Sequence, residues 1–80
     1  MDSNTVEEKA RSAWEVALDD EVDSESDFLD AGGHSFMAMQ IIATLEAELK
    51  TRIPLSLLYD NPKFSDFISV LVRHTAGTSD

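Results

Sequence analysis

Gly32-Gly33-His34-Ser35, continued without a break by Phe36-Met37-Ala38-Met39-Gln40-Ile41-Ile42, is where an acidic, pattern-poor segment gives way to the longest apolar-periodic run of the chain. The two glycines permit positive φ and leave no side chains to obstruct a close approach. Beyond them Ala38, Ile41, Ile42, Leu45 and Leu49 recur at three- and four-residue steps, which predicts a helix from Ser35 to Leu49 with that stripe on the core. Ser35 then stands at the helix N-terminus, where unpaired N–H groups and the helix dipole favour a negative group such as a phosphate. Serine is also a common N-cap after a glycine-rich loop, and on four residues alone a structural cap is the plainer reading.

On the same helix Phe36, Met39 and Ala43 fall on a strip well away from the core stripe. Either the domain buries the helix nearly all round, with the methionines as filler, or the strip is an exposed apolar patch flanked by Gln40, Glu46 and Lys50. The second reading is preferred, because such patches on small proteins tend to be docking sites. Downstream, Lys50-Thr51-Arg52 suits the negative pole of the helix, and Pro54 forbids its continuation. Leu55-Ser56-Leu57-Leu58-Tyr59 is expected as a short helix or turn, and Asn61-Pro62 breaks the chain again. The spacing of Phe64, Phe67, Ile68, Leu71 and Val72 predicts a last helix to about His74, with residues 75–80 as a flexible polar tail.

Upstream, Thr5-Val6-Glu7-Glu8 fits a capping box, so residues 1–4 are expected to fray. Val6, Ala10, Ala13, Trp14, Ala17 and Leu18 then predict an amphipathic helix to about Leu18, with Trp14 as a core anchor. Residues 19–30 hold seven acidic residues and no basic one. Val22, Phe28 and Leu29 are the apolar pins expected to fold this loop back over the bundle. Its alternating carboxylates suggest a calcium loop, but the EF-hand pattern needs Gly sixth and a bidentate Glu twelfth. Ser24 and Asp30 occupy those places, so a solvated acidic loop without metal is expected.

Eighty residues make one small domain, 1–80, with an ordered part of about 5–74. No cysteine is present, which excludes disulfide and zinc-thiolate staples. The net charge of −10 argues against nucleic acid and anionic membranes as partners. There is no signal-peptide pattern and no apolar run of spanning length, so a cytoplasmic monomer is expected. The fold class expected is all-α: three longer helices plus a short one, with a long loop between the first two.

The run from Asp27-Phe28-Leu29-Asp30-Ala31 through Gly32-Gly33-His34-Ser35 to Met39 resembles the core motif of peptidyl carrier (thiolation) domains of nonribosomal peptide synthesis. The resemblance extends from about Trp14 to Leu71 and is strong again at Ile53-Pro54-Leu55, Leu58-Tyr59 and Asn61-Pro62. It implies an acyl-carrier-like bundle and a 4′-phosphopantetheine arm joined to Ser35 through a phosphodiester, with Asp27, Gly32, Gly33 and His34 as the surrounding motif. It also implies partner docking along the helix after the serine, on Phe36, Met39, Gln40 and Ala43, with Leu57 added from the short helix. A phosphopantetheinyl transferase would supply the arm from coenzyme A. An adenylation enzyme would load an aminoacyl or acyl group as a thioester, and condensation, ketosynthase or tailoring enzymes would use it, as in antibiotic biosynthesis and other secondary metabolism. The chain itself would be a non-catalytic carrier, expected to be free-standing from its Met1 start and polar end.

Gly-Gly-His-Ser favours the peptidyl type. Acyl carriers of fatty-acid and polyketide synthesis more often read Asp-Ser-Leu, yet they are strongly acidic, which keeps them as the alternative. Outside carriers, the alternative is an acidic helical interaction domain with Ser35 as a plain cap. Two departures stand out: Asp19 where such domains often have glycine, and Lys63 where a capping threonine is usual, leaving Ser65 or Asn61 to cap the last helix. Gly33-His34-Ser35 also begins a Gly-x-Ser-x-Gly elbow, but Met37 replaces the closing glycine and no strand precedes the serine. His34 is adjacent to the serine and poorly placed as its base, and His74 lies near the chain end, so a hydrolase is not expected.

Overall fold

The computed structural model describes residues 3–32 and 34–77; Gly33 and the expected frayed or flexible positions 1–2 and 78–80 lie outside the described residues. Four helices follow one another: α1 Ser3–Leu18, α2 Ser35–Leu49, α3 Ser56–Tyr59 and α4 Phe64–Gly77. The all-α expectation, with three longer helices, one short helix and a long first loop, is met. Among the described residues the sole β-type pairing is an isolated antiparallel bridge between Asp27 and Lys63.

The helices close around one core. The α1 stripe of Val6, Ala10, Ala13 and Trp14 meets the α2 stripe of Ala38, Ile41, Ile42, Leu45 and Leu49, and Phe64, Phe67 and Leu71 of α4 complete it. Trp14 is fully buried, with its ring edge-on to Phe64 at 5.0 Å and to Phe28 at 5.9 Å between centroids. Burying each such aromatic stabilises the fold by about 1.5–3 kcal/mol. Among the described residues the indole Nε1 has no hydrogen-bond partner, a cost of about 1–3 kcal/mol that the aromatic contacts offset.

α1 and α2 run antiparallel. Lys9, early in α1, pairs with Glu48, late in α2, at 3.1 Å, while Val16 and Ala17 lie in the same interhelical groove as Gln40. The end of α1 therefore sits beside the start of α2, and the loop of residues 19–34 stays at that end of the molecule. α4 begins there too and finishes at the opposite end, where His74 Nε2 donates to the Arg52 carbonyl.

The loop has no regular structure but is densely bonded. Both peptide groups of Val22 are held by α1: its N–H donates to Glu15 at 3.0 Å, and its carbonyl accepts from Arg11. Arg11 also pairs with Glu7 at 3.0 Å and lies 5.2 Å from the Phe64 ring centroid, a cation–π distance. Farther on, Phe28 N–H donates to the Pro62 carbonyl at 2.7 Å, and Phe64 and Ser65 N–H donate to the carbonyls of Ser26 and Ser24 at 2.7 and 3.1 Å. The acidic loop thus supplies the partners that the first turn of α4 lacks within its own helix.

Several local expectations change. α1 starts at Ser3, so Thr5 and Glu8 lie inside it and no capping box forms; the apolar periodicity from Val6 gives no signal of the extra turn. Neither Ser65 nor Asn61 caps α4: Ser65 is in its first turn, and Asn61 Nδ2 donates to the Leu57 carbonyl at 3.0 Å. Lys63 instead accepts from Phe67 N–H through its carbonyl at 2.9 Å. Its ammonium lies 3.1 Å from Glu25, whose carboxylate holds the Lys63 pKa above the ordinary lysine value. Leu29 is no core pin; it is 54% exposed, while Val22 and Phe28 are buried. α4 runs past His74 to Gly77, and buried Thr75 belongs to it, donating to the Val72 carbonyl at 3.1 Å.

Candidate functional site

α2 begins where the sequence places it, but Ser35 is its first helical residue and not its cap. His34 holds the N-cap position in extended backbone, φ −144° and ψ 179°, with no side-chain capping bond, and its carbonyl accepts from Ala38 N–H at 2.9 Å. Ser35 is exposed, and its hydroxyl makes no hydrogen bond to any described residue. An N-cap serine spends its oxygen on the N–H groups of the first turn; here the oxygen is free.

The approach to Ser35 is built by the preceding turn. Asp27 Oδ1 accepts from Leu29 and Asp30 N–H at 2.9 and 3.0 Å, and the Asp27 carbonyl accepts from Ala31 N–H at 2.9 Å. Gly32 follows at φ 88°, a conformation that disfavours any side chain, and nothing lies within 4 Å of where its Cβ would be. Asp27 acts as the builder of this turn, half-buried, with its outer face at the loop–α4 bridge. His34 is exposed like Ser35. His74 sits at the other end of the bundle on the Arg52 carbonyl, so no serine–histidine pair is assembled.

Along α2 the strip beside Ser35 is open. Phe36 is 63% and Met39 57% exposed, and Gln40 and Ala43 are exposed as well. The alternative of a helix buried all round is overturned: the core takes the opposite stripe, and no described residue covers this one. Met39, Ile42, Ala43 and Glu46 form one wall of a shallow groove of about 370 Å³ whose other wall is Ile53 and Leu55. Leu57 is half-buried against the core, whereas Leu55 and Tyr59 are the more exposed apolar side chains of that segment. Sequence spacing did not single out Leu55; the signal available was Pro54, which turns the chain back along α2.

Three carboxylates of the acidic loop serve the loop itself, and Glu25 reaches Lys63. Asp20 accepts from Glu21 N–H at 2.8 Å and Asp23 from Glu25 N–H at 2.9 Å, in addition to the Asp27 turn. Among the described residues no three carboxylates or histidines are grouped to hold a metal ion. Nor is any described helix long and apolar enough to cross a membrane.

Residues 5–71 match the family model described as "Phosphopantetheine attachment site". Bacitracin synthase 1 of Bacillus licheniformis is 35% identical over 69 residues, 85% of this chain and 1% of that protein. The nonribosomal peptide synthetase gloA of Glarea lozoyensis is 33% identical over 75 residues, 90% of this chain and again 1% of the relative. The chain thus spans about one-hundredth of the length of these curated relatives. Among solved structures, BlmI, a type-II acyl-carrier-protein from Streptomyces verticillus involved in bleomycin biosynthesis, superposes with a TM-score of 0.83 at 18% identity, covering 90% of this chain and 88% of that one, a likeness of fold. An active-site mutant of a peptidyl carrier protein superposes with a TM-score of 0.71 at 26% identity, covering 88% and 79%.

Proposed function

The chain belongs to the phosphopantetheine attachment site family, non-catalytic carriers of a covalent 4′-phosphopantetheine, and on that premise we propose that Ser35 is the attachment point and that the cargo is an aminoacyl or acyl group of nonribosomal peptide synthesis. The observation that carries the assignment is the free, exposed hydroxyl of Ser35 at the first helical position of α2. The residues present fit the group. A phosphodiester on Ser35 would lie at the positive end of α2, beside backbone that no neighbouring side chain crowds. Bound there, the arm supplies a terminal thiol for thioester formation, which no side chain of this cysteine-free chain offers.

The chain's own part is presentation. In the attachment step the Ser35 oxygen forms a bond to phosphorus, the phosphoanhydride of coenzyme A breaks, adenosine 3′,5′-bisphosphate leaves, and the hydroxyl proton passes to the transferase. The Asp27 turn and Gly32 hold the serine clear of the loop. The crest of Phe36, Met39, Gln40 and Ala43, with Leu57 and the groove beside it, is the face that the transferase, an adenylating enzyme and condensing, ketosynthase or tailoring enzymes would grip in turn. Such contacts suit brief, modest-affinity encounters. The peptidyl type is preferred to the acyl type because the relatives at 33–35% identity are a bacitracin synthase and a nonribosomal peptide synthetase. A carrier acting as a free-standing chain is loaded by an adenylating enzyme supplied as a separate polypeptide, and that assay tests the point.

The deciding experiment is intact mass after incubation with coenzyme A and a broad-specificity phosphopantetheinyl transferase, beside Ser35→Ala. Gain of one phosphopantetheine by the parent alone is expected. Gain by both proteins moves the site elsewhere; gain by neither returns the chain to an acidic helical interaction domain.

A further inference from the structure

The formal charge of −10 is unevenly spread. The loop carries seven of the sixteen carboxylates and lies at the Ser35 end, as does the Asp66 turn of α4. The six basic residues divide into two groups. Lys9, Arg11 and Lys63 are each paired with a carboxylate, of Glu48, Glu7 and Glu25 respectively. Lys50, Arg52 and Arg73 are exposed and have no carboxylate partner among the described residues. All three sit at the opposite end: Lys50 caps α2, Arg52 follows it, and Arg73 adjoins His74, which is bonded to the Arg52 carbonyl. Of the nearby carboxylates, Glu48 is paired with Lys9, while Glu46 accepts from the Ile53 N–H at 2.9 Å and keeps its charge, so three cations stand there against one carboxylate without a cationic partner. The negative pole of α2 accounts for Lys50 and Arg52, but Arg73 precedes the last turn of α4, where His74 is the basic residue, and that pole does not account for it.

Fifteen helical steps separate Ser35 from Lys50, a rise of about 22 Å. The Debye length at physiological ionic strength is about 8 Å, so a partner senses each end by itself and not the summed charge. We infer that the Lys50–Arg52–Arg73 end is a repelling face, which keeps the chain from docking wrong end first on enzymes whose basic surfaces receive the acidic Ser35 end. The inference rests on the carrier reading above. Like charges brought together across an interface are costly and suppress the wrong arrangement. Without those cations that end would no longer repel a basic enzyme surface.

Wrong-end complexes occupy the enzyme without turning over, so they lower kcat and KM by the same factor and leave kcat/KM unchanged. The test is steady-state phosphopantetheine transfer from coenzyme A to the full chain, using a broad-specificity transferase with a basic docking surface. The parent is compared with the triple variant Lys50→Glu, Arg52→Glu, Arg73→Glu. The reversal is expected to lower kcat and KM together by about three- to tenfold, with kcat/KM within about twofold of the parent. The triple Gln variant is expected to move both the same way by less, with helical circular dichroism unchanged in both. Unchanged kcat and KM in the Glu variant overturn the inference. So does a fall in kcat/KM, which would place these residues in the productive contact. Failure of the parent to be modified at all sinks the carrier reading itself and is seen before any variant is compared.

Discussion

The acidic loop between α1 and α2 and the outer crest of α2 adjoin each other at Ser35, and they are ordered in opposite ways. The loop has no regular backbone structure, yet Val22, Phe28 and the carbonyls of Ser24 and Ser26 are all engaged by α1 or by the start of α4. The crest is regular helix, yet Phe36 and Met39 are more than half exposed. A loop must find partners for its peptide groups elsewhere in the fold, so its carbonyls and several of its side chains go into building. A helix satisfies its peptide groups internally, so its outward side chains are free for recognition. In this chain the irregular segment is tied into the architecture, and the regular one leaves the open apolar surface.

The sharpest way to break that comparison is to remove the loop's buried anchor. Phe28 is fully buried against Trp14, and Phe28→Ala is expected to cost about 3–5 kcal/mol in urea denaturation. Amide exchange at Phe64 and Ser65 should accelerate along with it, because their acceptors lie in the loop. A small loss, under about 1 kcal/mol, would show that the loop merely rests on the bundle. Asp27→Ala comes next. It removes the acceptor for Leu29 and Asp30 N–H and is expected to cost about 1–2 kcal/mol, with Asp27→Asn recovering most of it.

Where the two regions meet their helices, the backbone itself can be improved. Asp19 at φ 55° and Lys50 at φ 54° end α1 and α2 in left-handed geometry that glycine adopts without penalty. Asp19→Gly is therefore expected to stabilise the chain by about 0.5–1 kcal/mol, read as a higher urea midpoint. A lower midpoint would mean that the Asp19 side chain holds the loop in a way its geometry does not reveal.

These residues also mark what the sequence made legible. α2 could be bounded from its periodicity, its glycine-rich entry and Pro54, because each of those signals is local. The exposed strip followed from the same spacing, since a helix with one core stripe must show another strip to solvent. The start of α4 at Phe64 was legible in its spacing, but what satisfies that start was not. Its first N–H groups are satisfied by Ser24 and Ser26, some forty residues earlier, and no local residue announces an acceptor that arrives through the fold. Arg11 likewise carries no local sign that it holds the Val22 carbonyl and lies against Phe64. Leu29 was misplaced for the complementary reason: in a loop without a period, an apolar residue carries no direction.

On the crest the comparison predicts function lost without stability. Phe36→Asp removes an exposed ring that packs on nothing in the core, so denaturation is expected to shift by less than about 0.5 kcal/mol. Loading by a cognate adenylating enzyme, measured as thioester formed on the modified protein, is expected to fall at least tenfold. Unimpaired loading with normal modification of Ser35 would move the docking face off α2.

The smallest stability effect is expected at the residue with the greatest consequence. A capping serine replaced by alanine costs about 1 kcal/mol, but Ser35 lies one position inside the helix, where its hydroxyl engages nothing described and His34 holds the cap. Alanine is also the better helix former, by a few tenths of a kcal/mol. Ser35→Ala should therefore leave the urea midpoint unchanged or slightly raised, while abolishing the mass gain from coenzyme A. A loss near 1 kcal/mol with modification intact would restore the structural cap. The two readings of this serine thus differ in the sign of a stability change as well as in chemistry, and one variant measured both ways separates them.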